Sequence, residues 1–106
     1  MSGPSVRRRP YGRAGRLVPR RLRGLRAGSV VLKPGEAMPW HSTNNREELL
    51  IVLAGSVRLE LAAPAGRKRR VALPAGQCAW LARGTEHAVV NPGATAARYV
   101  YVTGAA

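Results

Sequence analysis

Residues 35–55 read GEAMPWHSTNNREELLIVLAG, and how this stretch folds decides how the whole chain folds. It begins inside a Pro-Gly turn, Pro34-Gly35, and runs through a short extended piece to His41 and Thr43. A polar corner follows at Asn44-Asn45-Arg46, then the pair Glu47-Glu48, an apolar run from Leu49 to Ala54 and a turn at Gly55. Side chains two apart on a strand share a face, which aligns His41 with Thr43. The Asn-rich corner returns the chain, so Glu48 on the next strand is expected to face them. An imidazole and a carboxylate converging from paired strands make a metal-site geometry. A second half-site follows at Gly84-Thr85-Glu86-His87.

Outward from this stretch the signal is β throughout. Ser29 to Leu32 reads as a strand ending at Pro34-Gly35, and Ala37 to Thr43 as an edge strand because Pro39 interrupts it. Val57-Arg58-Leu59-Glu60-Leu61 alternates, with the aliphatic residues inward and the charged ones outward. Lys68 to Leu73, Cys78 to Leu81, Glu86 to Val90 and Arg98 to Val102 complete the set, separated by Pro- and Gly-containing turns. About eight short strands with no helical period mean a sandwich or a barrel. Leu49 to Leu53 does not alternate, so both of its faces should be covered. A second copy of the chain, in a homodimer, is the expected cover for the outer one.

At 106 residues the chain is long enough for one domain with a modest core. Residues 1–16 read as a flexible basic arm and 17–106 as the β domain, with an edge strand or a short helical turn at Leu17 to Arg26. Pro4, Pro10, Gly12 and Gly15 break any amphipathic helix in the arm, which disfavours an organellar transit peptide. No apolar run approaches a membrane span, and no apolar-centred leader opens the chain. The single cysteine, Cys78, lies in an apolar run and reads as a buried, inert thiol. These features point to the cytoplasm. The net charge of +13 raises nucleic-acid binding through Arg7 to Arg26, where nine arginines fall. With no aromatic interleaving and no nucleic-acid motif, solvated surface is the preferred reading of the clusters Arg7 to Arg9 and Arg67 to Arg70.

The spacing of the two half-sites resembles that of the cupins, a family of small double-stranded β-helix (jelly-roll) barrels. The first family motif is matched by Gly35, five residues, His41-Ser42-Thr43, four residues, Glu48, six residues and Gly55. The second is matched by Gly76, five residues, Ala82-Arg83-Gly84, two residues, His87, three residues and Asn91. Ala82 stands where the family has Pro, and Thr43 stands where it has the second His of its first motif.

The resemblance implies an all-β barrel with a ligand site inside. In metal-binding members the ligands are two His and a Glu from the first motif and a His from the second. Carried over by position, this chain keeps His41, Glu48 and His87. Two imidazoles and one carboxylate are a set that can hold Fe(II), Mn(II), Zn(II) or Ni(II) with open positions. The expectation is therefore a divalent metal and a small, anionic or oxygen-rich ligand in the barrel. Family activities of the dioxygenase and isomerase type come with it. The competing expectation is a metal-free binding or sensor module, in which His41 and His87 are buried imidazoles bonded to Glu48. Thr43, Trp80 and Tyr101 are pocket candidates. Core packing is the alternative for Trp40, Trp80, Tyr99 and Tyr101.

Overall fold

The computed structural model describes residues 6–105; the first five residues of the basic arm and residue 106 lie outside this range. Nine strands follow in order: β1 Gly15–Arg16, β2 Leu25–Leu32, β3 Ala37–Ser42, β4 Arg46–Ala54, β5 Ser56–Ala62, β6 Lys68–Pro74, β7 Cys78–Leu81, β8 Glu86–Val90 and β9 Ala97–Ala105. The one helical element among the described residues is a 3-10 turn at Pro64–Gly66. The strands form two antiparallel sheets, ordered β1-β2-β9-β4-β7 and β3-β8-β5-β6. This is the expected jelly roll.

The alternation in Val57 to Leu61 works as read. Val57 and Leu59 are fully buried, and they meet Leu50, Val52, Leu73, Val89 and Tyr99 between the sheets. Burying each such aliphatic side chain stabilises the fold by roughly 1.5–3 kcal/mol. On the outer face, Glu60 takes Arg58 at 3.4 Å and Arg70 at 3.3 Å. Gly55 turns β4 into β5 at a φ of +69°, and a Cβ there would lie 2.7 Å from the Ala96 carbonyl. Only glycine fits both constraints.

Two boundaries differ from the sequence reading. The second strand starts at Leu25 rather than Ser29, and the last one continues to Ala105. They pair without interruption from Leu25↔Gly104 to Leu32↔Ala97. The alternation cue fails at the start of β2 because its inward positions there are Arg26, which lines a cavity, and Gly28, which lies against the Tyr101 ring. Pairing also begins within the expected arm, where Gly15 and Arg16 bond to β2.

Pro39 puts β3 at a sheet edge, as expected, with an irregularity in register between Met38 and His41. Trp40 sits at this irregularity and is 41% exposed, under the Lys68 ammonium at 5.4 Å, rather than in the core. Cys78 is exposed too, which corrects the buried-thiol reading. It lies opposite Ile51 on β7, an edge strand, with its side chain on the outer face. Among the described residues no helix is long and apolar enough to cross a membrane.

Candidate functional site

A cavity of about 560 Å³ opens between the sheets at one end of the barrel. That size suits a small organic ligand. Strand parity explains what lines it. On β4, residues 46, 48, 50 and 52 share the inner face: Leu50 and Val52 close the core, and Glu48 and Arg46 continue into the cavity. Across the ladder, Glu48 pairs with Thr103 and Leu50 with Tyr101, so β9 adds Tyr99, Tyr101 and Thr103 to the same wall. The opposite sheet contributes His41 from β3 and His87 from β8, which are direct register partners.

The Asn corner reverses the chain, but β3 and β4 are not the paired strands the sequence reading expected: they lie in different sheets, and the corner carries the chain from one to the other. Asn44 takes a positive φ of 55°, its N–H donates to the Ser42 hydroxyl at 2.9 Å, and the chain reverses into β4. The result brings His87 Nε2 to 3.4 Å from Glu48 Oε2, across the two sheets. His87 is 0% exposed and the Glu48 side chain 10%. At that separation no hydrogen bond is formed, His87 Nε2 has no hydrogen-bond partner, and the contact becomes an ion pair when the imidazole is protonated. His87 Nδ1 donates to the Thr85 carbonyl at 3.0 Å, and His41 Nδ1 to the Pro39 carbonyl at 2.7 Å. With Nδ1 carrying the proton, each Nε2 is a bare lone pair in the neutral form of the ring. The two rings lie against each other, centroids 4.3 Å apart and tilted by 56°.

Burial alone would lower the pKa of His87. The Glu48 carboxylate and the Thr85 carbonyl outweigh it, and the imidazole titrates above its ordinary value. Tyr99 is pushed up well beyond the usual phenol range, chiefly by burial and then by the charge on Glu48. It stays a neutral phenol at physiological pH.

The donor chemistry suits a divalent transition metal: a buried imidazole nitrogen without a partner, oriented through its other nitrogen by a backbone carbonyl, beside a carboxylate. The arrangement is nonetheless incomplete. Among the described residues, no three His, Cys, Asp or Glu side chains converge as a metal-holding group. Glu48 and His87 meet, and His41 stands beside them. Thr43 does not fill the gap. It is 7% exposed, and its hydroxyl donates to the Ala82 carbonyl at 2.9 Å and accepts from the Thr85 N–H at 3.0 Å. The hydroxyl ties two loops together at the cavity edge.

Of the three pocket candidates, Thr43 and Tyr101 line the cavity and Trp80 does not. Trp80 is 77% exposed on the outer face. Glu48 pairs with Leu81 on β7, so Leu81 takes the inner position and Trp80, opposite Leu49, must point outward. Asn91 of the second motif also acts structurally. It is buried, and its side-chain amide donates to the Leu32 and Thr95 carbonyls and accepts from the Gly93 N–H.

Four arginines that the sequence reading did not place in the pocket line the same cavity: Arg16, Arg20, Arg26 and Arg46. Two were within reach of parity. Arg26 is in phase with Gly28, Val30 and Leu32, and Arg46 with Glu48 and Leu50. Arg46 is fixed, with Nε donating to the Thr103 hydroxyl at 2.8 Å and Nη2 to the Thr103 carbonyl at 3.1 Å.

Solved structures share this architecture. An oxalate oxidase matches with a TM-score of 0.70 and 22% identity over 77% of this chain and 42% of its own. A protein described as a predicted oxalate decarboxylase, from Thermotoga maritima, matches at 0.73 and 20% over 86% and 77%. The Cnp3 cupin domain of Schizosaccharomyces pombe matches at 0.76 and 17% over 88% and 60%. At these identities the likeness is one of fold, and the chain spans less than half of the oxalate oxidase. No curated protein sequence matches the chain. The family model for the cupin domain matches residues 28–103, which contain both motifs and eight of the nine strands in whole or in part, and the chain belongs to that family.

Proposed function

We propose that this cupin domain binds a small ligand at the end of its cavity where His87 faces Glu48 and His41 stands beside them, with a divalent transition metal held there. The observation that carries the reading is the nitrogen His87 Nε2, buried without a hydrogen-bond partner and facing Glu48. A buried polar atom left without a partner is costly unless something occupies the space in front of it. In this reading His87 and Glu48 hold the ion, and His41 joins them by turning its exposed ring. Fe(II), Mn(II), Zn(II) or Ni(II) would supply Lewis-acid polarisation of a ligand oxygen. The chain's own groups bind and orient. Tyr99 and Tyr101 form an aromatic wall, and Leu50 and Val89 exclude water from the inner end.

A dioxygenase- or isomerase-type reaction is the enzymatic form of this reading. The names of the oxalate-acting neighbours make small carboxylates the first class to assay. The second reading is a metal-free binding or sensor module. Thr43 favours it, because its hydroxyl is taken up by the loops and leaves the family's fourth ligand position empty of a donor. Elemental analysis of protein purified without chelators separates the two: about one transition metal per chain supports the first reading, and none supports the second.

We also propose a homodimer through the outer face of the five-stranded sheet. Two cross-strand rows, Trp80–Leu49–Val102 and Cys78–Ile51–Val100, lie there side by side. Leu49, Ile51 and Leu53 are only half-buried within one chain.

A further inference from the structure

We infer that residues 16–26 form a charge-selecting wall that fits the cavity to a small organic anion carrying at least two negative charges. This segment precedes the family-matched region, 28–103. The inference rests on the reading that the cavity takes a small ligand, and it names that ligand's class.

Arg16, Val18, Pro19, Arg20 and Arg26 all line the cavity. The ladder places two of the arginines. Arg26 pairs with Thr103, which pairs with Glu48, so Arg26 and Glu48 stand on one rung with a single strand between them. That separates their backbones by roughly 10 Å. Arg16 pairs with Gly28, which pairs with Tyr101. Gly28 lets the Tyr101 ring lie against β2: a Cβ there would fall 2.5–2.6 Å from the phenol.

The charge balance of the lining is one-sided. Four arginines and a single acidic residue, Glu48, line the cavity. Glu48 already faces the His87 imidazole at 3.4 Å. Among the described residues, the side chains of Arg16, Arg20 and Arg26 make no ion pair and no hydrogen bond. Arg46 is anchored to Thr103 and acts as a fixed positive charge. Three free forks at the open, solvent-exposed side of the cavity exceed what a single monoanion can engage. Guanidinium is weakly hydrated and binds carboxylate and phosphate groups through two parallel hydrogen bonds. A ligand with two anionic groups satisfies this wall, and a neutral polyol does not.

The test is calorimetric titration of the full-length, chelator-treated protein with four probes: succinate, glucose 6-phosphate, neutral glucose, and a 20-nucleotide single-stranded DNA. Arg20→Gln and Arg26→Gln are compared with wild type, with Arg67→Gln on the far loop as control and thermal melts confirming that each variant folds. The expected result is saturable binding of succinate, glucose 6-phosphate or both, at least about tenfold tighter than glucose. Each cavity variant should weaken it by about tenfold, and the control should not. Succinate alone identifies a dicarboxylate site, and glucose 6-phosphate alone a phosphate site; both support the inference. Glucose binding as tightly as the anions, with loss on His87→Ala, overturns the charge wall while the ligand-binding barrel stands. DNA as the only ligand, released by the same arginine substitutions, overturns it in favour of a nucleic-acid surface. No binding of any probe overturns both the wall and the ligand-binding reading.

Discussion

Glu48 and His87 meet across the two sheets of the barrel, Oε2 to Nε2 at 3.4 Å, with the imidazole fully enclosed. β4 delivers the carboxylate and β8 the imidazole. In metal-free protein this pair sets a pH dependence. The folded-state pKa of His87 lies above its unfolded value of 6.5. The stabilisation it contributes is therefore complete below pH 6.5 and is lost as pH rises through the folded-state value. Glu48→Gln removes the charge, and burial then counts for more. An NMR titration of metal-free protein should show His87 above 6.5 in wild type and shifted downward in Glu48→Gln. Equal values in the two proteins would mean that the carboxylate does not control the imidazole.

Thr43 is a loop tie in this structure, and its removal should be felt in stability. Thr43→Val keeps the shape but leaves the Thr85 N–H without its acceptor, while the Ala82 carbonyl keeps the Thr85 hydroxyl as a donor. An unsatisfied group of that kind costs about 1–3 kcal/mol. Chemical denaturation should show a loss in that range. A loss below about 0.5 kcal/mol would show that water replaces the hydroxyl.

Gly28 and Tyr101 make a second sensitive contact. Gly28→Ala drives a methyl group into the phenol ring, which is rigid and must tilt into the cavity. Overpacking of this kind costs about 1–3 kcal/mol. The variant should unfold at lower denaturant concentration and show a changed Tyr101 ring environment by NMR. An unchanged Tyr101 signal would contradict the close approach.

The proposed dimer rests on Trp80 and its row. Light scattering at micromolar concentration should give twice the chain mass for wild type and the chain mass for Trp80→Glu, which places a charge on the shared face. A monomeric wild type would refute the dimer, with Leu49, Ile51 and Leu53 then covered well enough within one subunit.

The sequence made the strands legible where polar and apolar residues alternate. Val57 to Leu61 is the plainest case, whereas the register pairing of the two motif histidines emerges only from the fold. Parity also carried information that hydropathy concealed. Arg26 and Arg46 are in phase with core residues, but a charged residue at an inward position looks like surface until a cavity is known to be there. Trp80 misled in the opposite direction, since a large aromatic suggests burial and only pairing with β4 reveals that it points out. Thr43 could not be resolved from the sequence, because its hydrogen-bond partners, Ala82 and Thr85, are about forty residues away along the chain.

The central claim is that His87 and Glu48, with His41, form the binding end of the barrel. Calorimetric titration of apo protein with Zn(II), Mn(II) and Fe(II) tests it most directly, across wild type, His41→Ala, His87→Ala and Glu48→Gln. The account predicts one ion per chain in wild type, binding abolished by either His→Ala change, and affinity weakened by Glu48→Gln as the only anionic donor is neutralised. Wild-type protein that binds none of the three ions, or His87→Ala protein that binds them as wild type does, would contradict it.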